Sequence, residues 1–343
     1  LPRALLAALA RPKRLMQTLT LAWRTAPPGL RGGAKQIAYL AEALILAQHL
    51  RAQNIAHLHN HFANASANVA MLASQLSGVP FSYTLHGPSD LYAPDTWHLR
   101  EKAARATFVA CISHFARSQA MLFSDPVHWD KLRIVHCGVI PDLYNQTPPA
   151  PHSGTRLIFV GRLAAVKGLR VLFDAFAQAR ETHPDLQLTL VGDGDDRAHL
   201  ERLAAPLGDA VHFAGYLSQD AVAQALAEAD ALVLPSFAEG LPVVLMEALA
   251  SARPVIATQV AGVSELVENG VTGFVVPSGD AATLADRIAQ LAADPALRQR
   301  MGAAGRTKVR ADFDAQIESA RIGALFAGQG GADLRPEPLE RIE

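Results

Sequence analysis

Two glutamates, Glu239 and Glu247, frame the segment L-P-S-F-A-E-G-L-P-V-V-L-M-E-A-L-A. The apolar run Ala231–Leu234 reads as a buried parallel strand, ended by Pro235 and Ser236. Pro242 suits the first turn of a helix, where its missing N–H costs nothing. Glu239 then falls in a strand-to-helix loop and Glu247 inside the helix. Such a loop lies at the carboxyl end of a strand, where open α/β sheets bind ligands. One carboxylate at the mouth of a crevice and another about a turn deeper suit a polyhydroxylated ligand, such as a sugar joined to a ribose.

The stretch L-I-F-V-G-R-L-A-A-V-K-G-L ends a strand at Gly161 and sets Arg162 and Lys167 before the amphipathic segment that starts at Gly168. Gly161 lets the backbone approach a ligand closely. A guanidinium holds phosphate oxygens in a fork and an ammonium adds a point charge. Two cations at a strand end beside a helix N-terminus suit a diphosphate; the alternative is a solvated basic turn. No G-K-[ST] is present, so this is not a Walker loop.

In L-T-L-V-G-D-G-D-D, Gly192 and Gly194 follow a strand without the third glycine of a dinucleotide fingerprint. Asp193, Asp195 and Asp196 have an alternative use as caps of the next helix. In V-A-G-V-S-E-L, Ala261 and Gly262 can turn backbone N–H groups toward an anion, while Ser264 and Glu265 also suit an ordinary first turn. Toward the start of the chain, His57, His59 and His61 alternate and share one face of a strand. That pattern fits a polar strand end facing a cleft better than zinc, because no cysteine or acidic fourth ligand is near in sequence. His86 stands where a strand gives way to a loop, a position that favours function over a structural histidine.

The elements that position these residues alternate throughout. Short apolar runs are followed by longer amphipathic ones, the pattern of βα units on a parallel sheet. Strands are expected at Ala56–His61, Phe81–His86, Phe108–Ile112 and Leu132–His136, then at Arg156–Gly161, Gln187–Gly192, Val211–Ala214, Ala231–Leu234, Pro254–Thr258 and Gly273–Val276. The Pro-rich stretch from Gln146 to Thr155 reads as a linker between two domains. Beyond it, Leu297–Arg310 and Phe313–Phe326 are helical in pattern, and the Gly-, Pro- and charge-rich tail after Gly328 reads as frayed.

With 343 residues, half of them apolar, the chain has material for about two domains, each with its own core. The formal charge of −1, from 31 basic and 32 acidic residues, gives no support to nucleic-acid binding. Cys111 and Cys137 lie in or beside apolar runs, outside any C-x-x-C, and read as buried reduced thiols of a cytosolic protein. No apolar run reaches the roughly 18 residues of a membrane span. No G-x-S-x-G elbow supports a serine hydrolase. The basic, apolar opening from Leu1 to Leu15 fits a weak signal peptide, a surface-membrane helix or a truncated piece of structure, and the last is favoured.

Four stretches together resemble glycosyltransferase family 4, the retaining nucleotide-sugar transferases of GT-B architecture: F-V-G-R-L-A-A-V-K-G, L-V-G-D-G, E-G-L-P-V-V-L-M-E-A-L-A and V-A-G-V-S-E-L-V-E-N-G-V-T-G-F-V-V-P. They come in the family's order and cover the second half. H-x-H-x-H-F, T-L-H-G-P, A-C-I-S and H-C-G-V in the first half are similar to transferases that build bacterial exopolysaccharides.

The resemblance implies an α/β chain of two doubly wound Rossmann-like domains facing a cleft. Residues 1–145 would form the acceptor side and 156–310 the nucleotide-sugar side, with a helix over 311–328 crossing back to the first domain and a tail over 329–343. It implies that Arg162 and Lys167 neutralise the donor diphosphate and that Glu239 holds donor-sugar hydroxyls. Glu247 would grip the nucleotide ribose, the backbone of Gly240 and Leu241 would line the sugar-phosphate, and His86 would face the reacting sugar. Gly161, Gly192 and Gly262 complete the expected donor-binding set.

No metal or cofactor is expected beyond the nucleotide-diphosphate sugar, which is substrate. The implied acceptor is a glycan or polyprenyl-linked sugar, with peripheral contact at the cytoplasmic face of the inner membrane and no nucleic acid. Retention without an evident covalent nucleophile implies front-face attack, with the leaving phosphate helping to remove the acceptor proton and cleft closure excluding water. A non-catalytic nucleotide-sugar-binding module and an epimerase on the same architecture are the alternatives.

The chain departs from the family at its start. Leu1–Gly33 has no convincing strand and glycine-rich loop, and only four strand candidates precede the linker. The expectation is an N-terminally truncated fragment, which puts acceptor binding and turnover in doubt.

Overall fold

A computed structural model describes residues 1–144 and 155–329. The expected linker, apart from Thr155, and the tail from residue 330 onward lie outside the described residues. The described chain divides into two compact units, one of residues 1–135 with 319 onward and one of 136–318.

The first unit holds a parallel sheet of β1 (Leu58–His61), β2 (Phe81–Leu85), β3 (Val109–Cys111) and β4 (Leu132–Ile134), in the order β1-β2-β3-β4. β2 and β3 are buried along their whole length, as expected for strands covered on both faces. Helices Gly29–Ala52 and Ala65–Ser77 pack against each other. The second is opened by Asn64, whose side chain accepts from Ser66 N–H, and closed by Gly78 in the left-handed region, the usual chemistry of a cap and a stop. Residues 1–33 hold helices Pro2–Leu9 and Pro12–Arg24 and the first turn of Gly29–Ala52, and no strand. Prolines near the first turns of the two short helices suit those starts.

The second unit holds β5 (Arg156–Val160), β6 (Gln187–Val191), β7 (Val211–Gly215), β8 (Ala231–Leu234), β9 (Val255–Thr258) and β10 (Gly273–Val276). All are parallel, in the order β10-β9-β8-β5-β6-β7. The chain runs outward from β5 through β6 to β7, returns beside β5 as β8, and runs the other way through β9 to β10. The order therefore reverses between β5 and β8, and ligands of open α/β sheets bind outside the carboxyl ends of the strands at such a point. β8 and β9 are wholly buried.

The strands end one or two residues short of several expected boundaries, because hydrogen-bond pairing stops before the apolar run does. Two helix starts also differ. Pro242 is the cap of Val243–Ala250, with extended backbone, instead of a first-turn residue. Phe313, expected to open the last helix, closes Pro295–Asp312 with its side chain buried, and the last helix runs Ala315–Phe326.

Candidate functional site

The loop after β5 and the loop after β8 meet at the sheet's reversal point. Phe237 N–H donates to Val166 O at 2.8 Å. Gly168 sits at φ +65°, and a Cβ there would lie 2.1 Å from Pro235 O. A side chain at this position would force the two loops apart, so the glycine that follows Lys167 is required by the close approach.

That contact delivers Lys167 to Glu239. Lys167 Nζ donates to Glu239 Oε1 at 2.6 Å, and the two side chains are 20% and 11% exposed. Ser236 Oγ donates to the same oxygen at 2.6 Å. Among the described residues Oε2 accepts nothing, so half of the carboxylate remains for a ligand hydroxyl. The Ser236 carbonyl accepts in turn from Thr258 Oγ1 at 2.5 Å and Ser278 Oγ at 3.4 Å, which ties this loop to the last residue of β9 and to the turn after β10. Arg162 is exposed in the β5 loop and has no hydrogen-bond or ion-pair partner among the described residues.

The glycines hold this arrangement together at short range. A Cβ on Gly192 would lie 2.0 Å from Gly161 O, and one on Gly194 would lie 2.3 Å from Leu163 O. The loops after β5 and β6 thus touch backbone to backbone. Asp193 Oδ1 accepts from Gly194 N–H, and Asp196 precedes helix Arg197–Ala204 without a side-chain cap bond. Gly262 N–H donates to Gly240 O at 3.1 Å, and Ala261 beside it is left-handed at φ +45°. Leu241 is buried.

Glu247 lies in the second turn of Val243–Ala250 and is half-buried. Its Oε1 accepts from the Tyr144 hydroxyl at 2.8 Å. Burial raises the Glu247 carboxyl above its usual range, and the Tyr144 bond opposes that rise. The Tyr144 hydroxyl is pushed up to about 12, first by burial, so it stays a donor. Tyr144 and Ser236 were not singled out from the sequence. Ser236 carried a signal as the residue that ends the strand three positions before Glu239, whereas Tyr144 carried none.

His86 belongs to the first unit, just beyond β2. His61 Nδ1 and His86 Nε2 are 2.8 Å apart, so one ring donates and the other accepts. The Phe62 ring lies 4.6 Å from the His86 ring. His59 bridges Ser82 Oγ at 2.7 Å and Thr84 Oγ1 at 2.9 Å, and His57 shares the Ser82 hydroxyl at 2.7 Å. Burial, then the neighbouring His61, lowers His86 to about 4, and burial followed by the surrounding histidines lowers His59 to about 4. Both rings are therefore neutral near neutral pH. Among the described residues no group of three or more His, Cys, Asp and Glu side chains is arranged to hold a metal ion.

A partly buried ammonium–carboxylate pair thus stands at the reversal point of an open parallel sheet, with a second carboxylate on the adjoining helix. Comparison with known proteins agrees in family. The model described as Glycosyltransferase Family 4 matches residues 6–143, and the one described as Glycosyl transferases group 1 matches residues 144–308. The alpha-D-kanosaminyltransferase of Streptomyces kanamyceticus is 30% identical over 270 residues, covering 71% of this chain and 69% of that protein. The chain belongs to glycosyltransferase family 4.

As a family 4 glycosyltransferase it also has relatives in polysaccharide synthesis. The amylovoran biosynthesis glycosyltransferase AmsK of Erwinia amylovora is 33% identical over 206 residues, covering 57% of this chain and 51% of that protein. The putative colanic acid biosynthesis glycosyltransferase WcaL of Escherichia coli K12 is 33% identical over 212 residues, with the same coverage of 57% and 51%. Among solved structures, Anabaena Alr3699/HepE in complex with UDP and glucose superposes with a TM-score of 0.71 at 24% identity, covering 82% of this chain and 80% of that one. Sucrose-phosphate synthase from Thermosynechococcus elongatus gives 0.75 at 24% identity, covering 85% and 78%. The fold is GT-B, with two parallel-sheet Rossmann-like units.

Proposed function

We propose that this glycosyltransferase moves a hexosyl group from a nucleoside-diphosphate sugar, with retention of anomeric configuration, to a glycan or polyprenyl-linked acceptor in bacterial exopolysaccharide or cell-surface polysaccharide synthesis. The Lys167–Glu239 pair carries the reading. The UDP and glucose bound by HepE support the donor class, and the AmsK and WcaL likenesses support the product class. Residues 1–145 serve the acceptor, residues 156–310 the donor, and the helix within 311–328 joins the acceptor side.

In the transfer, the bond between the anomeric carbon and the β-phosphate oxygen breaks, and the acceptor oxygen bonds to the same carbon from the same face. The acceptor proton passes to the leaving phosphate. Charge grows on that phosphate, and fixed cations aimed at it lower the barrier. Lys167 and Arg162 supply them. Glu239, whose Oε2 accepts no bond among the described residues, accepts from the sugar hydroxyls and shares Lys167 with the diphosphate, so both parts of the donor are sensed by one pair.

Glu247 accepts from the ribose hydroxyls. Gly161, Gly192, Gly240, Leu241 and Gly262 give the backbone surface on which the donor lies. His86, a neutral imidazole oriented by His61, hydrogen-bonds the transferred sugar. We assign the reaction to the cytoplasmic face of the inner membrane.

A calorimetric screen of UDP-, GDP- and ADP-sugars against the purified protein tests the reading. One class should bind with an affinity that Lys167→Ala weakens; absence of binding by all three would remove it.

A further inference from the structure

The backbone just after β1 is bent against its own preference. Phe62 lies at φ +71°, a region that a bulky aromatic residue rarely enters. It is also 44% exposed, so burial of the ring does not compensate the strain. A residue in this condition persists only where its surroundings over-determine it.

The surroundings do so. Phe62 N–H donates to Thr84 O of β2 at 3.0 Å. The four carbonyls from His61 to Asn64 all accept from side chains. Asn60 Nδ2 donates to His61 O at 2.9 Å and to Phe62 O at 2.7 Å. Lys102 Nζ, from helix Leu99–Arg105, donates to Ala63 O at 2.5 Å and to Asn64 O at 3.2 Å. Lys102 is fully buried. Burial pulls its ammonium down to about 7, and the carboxylate of Asp90 opposes that fall. Asp90 is fully buried too, and the backbone N–H groups of Ala63 and His86 face its carboxylate together with Lys102. A buried charge pair is a poor source of stability, because desolvation offsets its attraction. Its use lies in the geometry it holds.

What that geometry reaches is His86. His61 Nδ1 lies 2.8 Å from His86 Nε2, and the centre of the Phe62 ring lies 4.6 Å from that of the imidazole. Both contacts come from the clamped turn. A cap for helix Ala65–Ser77 needs only Asn64, whose side chain already accepts from Ser66 N–H. The grip on His61 O and Phe62 O adds nothing to that cap.

We infer that Phe62 and Lys102 are positioning residues for His86: Lys102, with Asn60, locks the turn of residues 61–64 in its strained form, and the locked turn holds His61 and the Phe62 ring against the imidazole. A ring held by two neighbours presents one tautomer in one orientation to a sugar hydroxyl. The inference rests on the proposed role of His86 toward the transferred sugar, but one arm of its test uses no sugar.

The experiment compares wild type with Phe62→Gly, Phe62→Tyr, Lys102→Met and His86→Ala. In the first arm, NMR of isotope-labelled histidine in the ligand-free chain reads the tautomers of His61 and His86. Wild type should hold each ring in one tautomer, one donating and the other accepting. Phe62→Gly and Lys102→Met should each move both rings toward a tautomer mixture, and Phe62→Tyr should keep the wild-type pattern. In the second arm, release of nucleoside diphosphate in water is followed with the donor that calorimetry identifies. Phe62→Gly should slow it about tenfold and Lys102→Met by up to about 10²-fold, the effect of displacing a group by about an ångström. Donor affinity should not move, and Phe62→Tyr should restore the rate. Glycine adopts a positive φ without strain, so Phe62→Gly should keep Tm close to wild type while its rate falls. It decides the matter alone if Lys102→Met does not fold. Wild-type tautomers in Phe62→Gly, or a rate loss matched by an equal loss of folded protein, would overturn the inference. Release at the wild-type rate by His86→Ala, or no donor bound by wild type, is instead a failure of the functional reading, and the tautomers still decide whether the turn orients the ring.

Discussion

Lys167 and Glu239, 72 positions apart in the chain, share a 2.6 Å contact because their loops leave neighbouring strands at the point where the sheet order reverses. Each partner is most of the way out of water. Such a pair costs desolvation that its mutual attraction only partly offsets. Under the proposed function its position beside the donor gives a reason for that cost, since an incoming diphosphate would take over the ammonium as the sugar hydroxyls take over the carboxylate.

Lys167→Ala should therefore lower turnover by about 10²–10³-fold, the usual effect of losing one donor to a developing oxyanion, and weaken donor binding as well. Steady-state kinetics with the donor identified in the screen measures both. Unchanged constants would remove Lys167 from the site.

Glu239→Gln should act differently. Under the proposed function the carboxylate faces the sugar, so kcat should fall more than affinity for the free nucleotide. A selective loss of nucleotide binding would instead exchange the roles of Glu239 and Glu247.

Tyr144→Phe removes the one hydrogen bond that opposes the raised carboxyl of Glu247. Donor affinity should then decline at a higher pH on the acid side than in wild type, while behaving as wild type well above it. The sign for stability is opposite. A carboxyl raised in the folded state binds its proton more readily there than when unfolded, so its contribution is favourable in acid and is lost as pH rises through the folded value. Glu247→Gln should accordingly keep or raise Tm near neutral pH while losing ribose recognition. A clear fall in Tm would contradict this balance.

The histidine cluster makes the opposite prediction in acid. His59 and His86 are lowered from 6.5 to about 4, so between those values the unfolded chain binds more protons than the folded one. Stability should fall as pH drops from 6.5 toward 4. His59→Gln should flatten that dependence in thermal melts, and an unchanged slope would place the acid sensitivity elsewhere.

Gly168→Ala tests the scaffold instead of the chemistry. The added Cβ meets Pro235 O at 2.1 Å from a left-handed backbone, and strain at such a position is of order 1–3 kcal/mol. Tm should fall, and donor affinity should fall with it because Lys167 is the adjacent residue. Wild-type stability would show that the loops can separate freely.

Much of this was legible in the residues. Ala231–Leu234 and Gly273–Val276 occupy the strands their apolar runs predict, and Glu239 and Glu247 fall in the loop and helix that Pro235 and Pro242 delimit. Strand order was not legible. Periodicity says that β5 and β8 exist, but the return of β8 to the side of β5 is set by packing, and the Lys167–Glu239 contact depends on it. The His61–His86 contact likewise needs the β1–β2 register, which pairs His61 with Thr84. The helices Pro2–Leu9 and Pro12–Arg24 escaped because the apolar–basic opening also fits a signal peptide or a surface-membrane helix, and the favoured reading, a truncated piece of structure, assigned it no elements of its own.

The central claim is that the carboxyl ends of β5 and β8 hold an activated sugar by its pyrophosphate. Titration calorimetry of the matching nucleoside diphosphate and monophosphate, on wild type and Lys167→Ala, tests it most directly. The account predicts that the diphosphate binds wild type more tightly and that most of this advantage disappears in the variant. Equal binding of the two nucleotides by wild type, or a diphosphate advantage that survives loss of the ammonium, would contradict it.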